Sequence, residues 1–203
     1  MKIPHATAAR AVMALASVFS TLAAAGDNAI SVSFSGVVVA NARPTPTLPA
    51  FAQWCAASGA PFCMPTTQFP VYDTSTGQRK GMAYIWGAFP FNSGTGSFAG
   101  SICFSEFMVF AFDEGELYLH TAKNGTCGAF IDPALKPPKH ANLGATAIVA
   151  GGGDGVIAGG TGKFKKWTGT FTDRVFVGFG APTSGVGGIV YYDQLIFGIS
   201  GKD

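Results

Sequence analysis

Between residues 81 and 199 the chain is a succession of short apolar stretches in which side-chain character alternates every second residue, and almost every break between them contains glycine. A period of two is that of a β-strand with one face buried, and no ten-residue stretch of helical period competes with it. The stretches lie at 82–91, 100–112, 116–122, 145–150, 155–158, 167–179 and 188–199, preceded by an alternating segment at 28–40 in which Ile30, Val32 and Phe34 interleave with Ser31, Ser33 and Ser35. The breaks at 113–115, 123–125 and 182–185 have the turn chemistry of antiparallel hairpins, not the length of crossover helices. The chain therefore reads as all-β, a single antiparallel β-barrel of about eight strands. Closure is the better way to dispose of glycine-rich strand edges, with a two-sheet sandwich as the alternative. Composition supports this: 28 of 203 residues are glycine, nearly twice the usual share of about 7%, 18 are phenylalanine, and only 12% are charged. Disorder, coiled coil and an electrostatic nucleic-acid binder are excluded.

Lys2, His5 and Arg10 precede an uncharged stretch at 11–25 that ends in Ala23, Ala24 and Ala25. A basic start, an apolar run shorter than the roughly 20 residues needed to span a bilayer, and small residues at its end describe a secretory signal peptide, residues 1–25, with the barrel domain at 26–203. A secreted or periplasmic location is the expectation. Loss of Lys2 and Arg10 from the 13 basic residues leaves 11 against 11 acidic ones. A mature protein with balanced charge has no long-range field to steer nucleic acid or anionic lipid, and no later segment suits stable membrane insertion.

Export makes the four cysteines, Cys55, Cys63, Cys103 and Cys127, an even set in an oxidising compartment, so two disulfides are expected. Cys55 and Cys63 bracket a short proline-bearing loop, while Cys103 and Cys127 lie on neighbouring hairpin elements. Local pairing follows, and the spacing does not suit a metal site. Residues 41–80 carry Pro44, Pro46, Pro49, Pro61, Pro65 and Pro70 around the first pair and read as an irregular, disulfide-stapled, proline-rich insertion. Residues 50–57 fit a short helix.

Alternation sorts each strand into two faces. Along 100–112 the even positions are Ile102, Phe104, Glu106, Met108, Phe110 and Phe112, which places Glu106 among bulky apolar groups. Along 167–179, Asp173 shares the odd face with Trp167, Phe171, Val175, Val177 and Phe179, and along 188–199 Asp193 falls among Ile189, Tyr191, Leu195, Phe197 and Ile199. A carboxylate removed from water either gains hydrogen-bond and cationic partners or has its pKa raised. These three acids are thus the candidate catalytic residues, with Glu106 foremost because its strand pattern is the cleanest. Phe104, Met108, Phe110, Trp167 and Phe171, with Tyr84 and Trp86 from the even face of 82–91, are the candidate ligand-binding wall. Tyr118 and His120 share a face with Glu116, a histidine position suited to the rim. No metal motif and no nucleophile, histidine and acid spacing is present.

The most distinctive run is Gly151-Gly152-Gly153-Asp154-Gly155, followed by Gly159-Gly160-Thr161-Gly162-Lys163-Phe164 and a glycine-punctuated strand to Phe171. As a phosphate loop it fails, because Phe164 stands where Ser or Thr must follow the lysine. It reads instead as a tight turn between strands, with Phe164 plugging one barrel end. Over 156–171 this run resembles the barrel family shared by allene oxide cyclases and dirigent proteins. The resemblance implies an eight-stranded antiparallel barrel with an apolar cavity, often in trimers, that directs cyclisation or coupling of a reactive small molecule without a cofactor. It carries over the turn residues Gly159, Gly160, Gly162 and Phe164 and no catalytic residue, since Thr168 stands where dirigent-type motifs place an arginine.

Two functions are compatible with these readings. An exported barrel could bind a small hydrophobic molecule in its lumen and steer its ring closure or coupling as a cofactor-independent cyclase, with one buried carboxyl assisting. A filled interior would instead make it a non-catalytic structural or interaction barrel. The lumen decides between them: Phe104, Phe110, Trp167 and Phe171 either line a hollow or occupy it.

Overall fold

A computed structural model describes residues 29–37, 43–59, 63, 67–88, 101–131, 147–180 and 189–202. Eight antiparallel strands, β1 (Ala29–Val37), β2 (Thr67–Asp73), β3 (Arg79–Ala88), β4 (Ser101–Phe112), β5 (Gly115–Ile131), β6 (Ala147–Gly160), β7 (Thr168–Phe179) and β8 (Ile189–Lys202), pair in sequence order and close β8 onto β1. The barrel, not a sandwich, is the architecture. One helix, α1 (Pro49–Ser58), lies outside it against β4 and β5. The expected signal peptide at 1–25, His140 and the turn expected at 182–185 fall outside the described residues. Among the described residues no helix is long and apolar enough to cross a membrane.

The insertion is less irregular than its prolines suggest. The segment 50–57 is helical, begun by Pro49 in its first turn, where a missing N–H costs no intrahelical bond, and ended by Gly59. The staple Cys55–Cys63 closes directly behind it, and Cys103–Cys127 joins register partners on β4 and β5. Residues 67–73, however, are a barrel strand that delivers Phe69 and Val71 to the core. Pro70 is accommodated because the described pairing of β2 with β1 begins only at Val71.

Two further expectations are corrected. From Ala147 on, the stretches expected at 145–150 and 155–158 belong to one strand: Gly151, Gly152 and Gly153 pair with both β5 and β7, so this glycine run is the middle of β6, not a turn. The turn proper is a single 3-10 turn at Gly162–Phe164. Gly162 adopts a φ of 53°, and a Cβ there would stand 2.2 Å from the Glu114 carbonyl oxygen. Phe164 is buried at this end against Phe112 and Trp167, with ring centroids 5.6 and 4.9 Å away. Gly159 and Gly160 close β6 beside it.

Residues 123–125 likewise form no turn. They belong to a bulge in β5, where Phe104 and Phe107 of β4 pair with Thr126 and His120, so that Ser105 and Glu106 oppose the five residues 121–125. The bulge leaves both Thr121 and Thr126 buried.

The barrel interior is a continuous apolar core that includes Phe69, Ile85, Phe104, Met108, Phe110, Leu117, Leu119, Phe164, Trp167, Phe171, Val175 and Ile196. A second cluster lies on the outside of β3, β4 and β5, where Phe51 and Trp54 of α1 cover Trp86, Phe107 and Val109. The sheet is thus apolar on both faces there.

Candidate functional site

Even-numbered residues of β4 and odd-numbered residues of β7 point into the barrel, as alternation required, and they bring Glu106 and Asp173 to one place in its interior. Their exposures are 0% and 1%, and Gln194 from β8, at 1%, lies between them. Gln194 Nε2 donates to Glu106 Oε2 at 3.0 Å and to Asp173 Oδ2 at 2.6 Å. Thr126 Oγ1 stands 3.3 Å from the same Glu106 oxygen and 3.4 Å from the same Asp173 oxygen. The backbone N–H of Glu106 donates to Thr121 Oγ1 at 2.8 Å. Five strands meet in this cluster, because β6 contributes Gly153, the register partner of both Thr126 and Asp173. With no side chain between them, the threonine hydroxyl reaches the aspartate.

Burial pushes the Asp173 carboxyl above its ordinary range, because ionisation there forfeits hydration; hydrogen bonds with Gln194, the Gly153 backbone, Glu106 and Thr126 act in the opposite direction without cancelling it. A hydrogen bond between two carboxyl groups needs a proton on one of them, since ionised carboxylates only accept. Asp173 Oδ1 and Gln194 Oε1 are buried without hydrogen-bond partners among the described residues.

The remaining candidates separate. Phe104, Met108, Phe110, Trp167 and Phe171 are in the barrel core. Tyr84 and Trp86 share one face of β3, but it is the outer one: Trp86 packs on Phe51 and Phe107 at centroid distances of 5.5 and 6.3 Å, and the Arg43 guanidinium sits 5.0 Å over the Tyr84 ring. They are part of the helix-covered patch instead of a lumen wall. Asp193 pairs through its backbone with Ser35 and Phe176, and its side chain lies outside the described residues. Its expected stripe does not hold together, since Leu195 is 38% exposed while Gln194 and Ile196 are buried. Beyond them a bulge at Phe197 and Gly198 restores Ile199 to the interior, because Ile30 and Val32 on β1 pair with Ile199 and Ile196.

On the outer surface, Arg43 forms an ion pair with Glu116 at 2.9 Å, and the Tyr118 hydroxyl donates to Glu116 at 3.0 Å. Burial, and then the Glu116 carboxylate, raise the Tyr118 pKa. His120 stacks on Phe107 with its Nδ1 3.0 Å from the Thr121 carbonyl oxygen. Sequence reasoning missed Gln194, Thr126 and Thr121 because it searched apolar stripes for charge alone; Thr126 and Gln194 are the polar groups that reach one oxygen of each acid. Among the described residues no three His, Cys, Asp or Glu side chains are grouped to hold a metal ion.

Chemically, the cluster can hold and share a proton, but Glu106, Asp173, Gln194, Thr121 and Thr126 are sealed from solvent. No protein-family model, curated protein or solved structure matches this chain.

Proposed function

We propose that this chain is an exported, non-catalytic β-barrel with a filled interior, which acts through its outer surface and its ends. One observation carries the reading. Phe69, Phe104, Met108, Phe110, Leu117, Leu119, Val149 and Val175, distributed over β2, β4, β5, β6 and β7, have no surface accessible to a water-sized sphere. The wall of a hollow able to hold even one water retains such surface. Aromatic rings occupy the space that a lumen ligand would need beside these residues, and among the described residues neither acid presents its side chain to solvent. The acid pair's hydrogen bonds across β4, β5, β7 and β8 instead make it a polar pin that fixes strand register, the use to which buried polar groups are best suited.

Export is supported by the pattern of residues 1–25 and by two disulfides in so short a domain. Kinship with the cyclase and dirigent barrels is supported by strand number, closure and the turn that seats Phe164, while the filled interior argues against a shared activity.

The test is mass spectrometry of organic extracts of the protein purified from the medium or periplasm, together with its amino-terminal mass. The reading expects no stoichiometric lipophile and a start near residue 26. A stoichiometric apolar molecule whose removal shifts the Phe104 and Phe110 ring resonances would overturn the filled interior. An intact residue 1 on exported protein would overturn cleavage.

A further inference from the structure

The short-turn end of the barrel holds a cavity of about 440 Å3, away from the buried acid pair. Its floor is the outermost layer of the core, Ile30, Phe112 and Phe164, and its walls are the β2–β3 turn and the segment around Glu114 and Lys163. Both walls are fixed. Asp73 Oδ1 accepts the backbone N–H groups of Ser75 and Thr76 at 2.9 and 3.0 Å, the Thr74 N–H donates to the Ser31 carbonyl at 3.2 Å, and the Lys163 N–H donates to the Glu114 carbonyl at 3.0 Å. A pocket that needs no reordering loses little affinity to entropy.

The charges around it are four. Asp73 is committed, with one oxygen holding its own turn and the other 3.8 Å from the Lys80 ammonium; the Ser75 hydroxyl first, then the turn N–H groups and Lys80, keep its carboxyl low, at about 2. Lys163 and Glu114 remain, one of each sign, and among the described residues neither forms an ion pair. An apolar floor flanked by one uncommitted cation and one uncommitted anion matches a molecule that is apolar at one end and carries both charges at the other.

We infer that this barrel-end pocket binds a small zwitterion with an apolar side chain, an aromatic or aliphatic amino acid or dipeptide, whose carboxylate meets Lys163, whose ammonium meets Glu114 and whose side chain rests on Phe112 and Ile30. The inference deepens the filled-barrel reading, since it gives a ligand to a barrel whose lumen takes none.

The test is a titration of the isotope-labelled protein with L-phenylalanine, followed by NMR, beside its amide, which lacks the carboxylate, and 3-phenylpropanoate, which lacks the ammonium. Saturable shifts confined to Ile30, Ser31, Thr74, Phe112 and Phe164 are expected, with each singly charged analogue about fivefold weaker, the scale of one exposed ion pair. Lys163→Met should erase the advantage over the amide, and Glu114→Gln the advantage over the propanoate; both residues are exposed, so neither change threatens the fold. An absence of saturable shifts into the millimolar range, or equal binding of all three compounds, overturns the inference and leaves the filled lumen standing. Shifts centred on Phe104, Met108 and Val175 would overturn both.

Discussion

Glu106 and Asp173 lean on the same amide: Gln194 Nε2 is within 3.0 Å of one carboxyl oxygen and 2.6 Å of the other, in a part of the barrel where neither acid meets solvent. The arrangement gives the protein a defined pH response. In the unfolded chain Asp173 titrates near 3.8, and in the barrel it titrates higher. Its neutral form is therefore the one folding favours. Its contribution to stability is complete below the unfolded value and is lost as pH rises through the folded one. Asp73 acts with the opposite sign, losing its contribution only as pH falls through about 2, so the informative quantity is a difference between two proteins. Urea midpoints measured from pH 4 to pH 8 should fall more steeply for the native chain than for Asp173→Asn. Parallel curves would remove the buried proton from the account.

Gly153 should be intolerant of the smallest enlargement. A Cβ at this position would stand 2.0 Å from the Gly125 carbonyl oxygen, and the obstacle is backbone within the β5 bulge, which cannot swing aside as a side-chain end can. Gly153→Ala should cost about 1–3 kcal/mol, the usual range for overpacking a closed core. At Gly155 the obstacles are the ring of Phe171, 2.3 Å away and itself in the core, and the His120 carbonyl oxygen at 2.5 Å, so Gly155→Ala should be costly too, and Phe171→Leu should relieve only the first of these and rescue it in part. Thermal unfolding of the three variants checks this, and a Gly153→Ala protein as stable as the native one would show that β5 and β6 are not held at this distance.

How far the sequence could carry these conclusions is visible strand by strand. On β4 and β7 alternation runs unbroken through Phe104 to Phe110 and Phe171 to Val177, and it placed Glu106 and Asp173 inside correctly. On β8 the same logic failed at Leu195, because the bulge at Phe197 and Gly198 flips parity and only tertiary pairing with β1 reveals it. Asn and Gly at 124–125 suit a hairpin turn and a bulge equally, so local chemistry could not distinguish them. Tyr84 and Trp86 were misassigned for another reason. β3 and β4 carry large apolar residues on both faces, which requires a second covering layer, and the legible cue to that layer was Phe51 and Trp54, three residues apart in the segment that forms α1.

The disulfides should be unequal. Cys103–Cys127 closes a separation of 24 residues and Cys55–Cys63 one of 8, and the entropy removed from the unfolded chain grows with the logarithm of loop length. The double serine variant of the first pair should lose about 3 kcal/mol and that of the second somewhat less. Equilibrium denaturation of the two variants provides the comparison. A larger loss from the short staple would mean that it chiefly holds α1 in place and not that it restricts the unfolded chain.

That possibility makes α1 the last element to test. Its attachment rests on Phe51, 5.5 Å from Trp86 and 5.2 Å from Phe107 between ring centroids, and on Trp54, 5.7 Å from Phe107. Removing a buried aromatic side chain of this size typically costs about 3–5 kcal/mol when the surroundings cannot collapse into the space. If barrel and helix unfold as one unit, Trp54→Ala should lower global stability by that amount, and amide exchange should accelerate alike in α1 and in the outer residues of β4. If α1 detaches alone, exchange accelerates only within 49–58, and the barrel's unfolding free energy is unchanged. The contacts favour the first outcome, because Phe107, which α1 covers, lies on the strand whose opposite face holds Glu106 and Met108, so loosening the helix uncovers the back of β4. Exchange confined to the helix would instead make α1 a removable cover and shift attention to the outer patch of Trp86 and Phe107 beneath it.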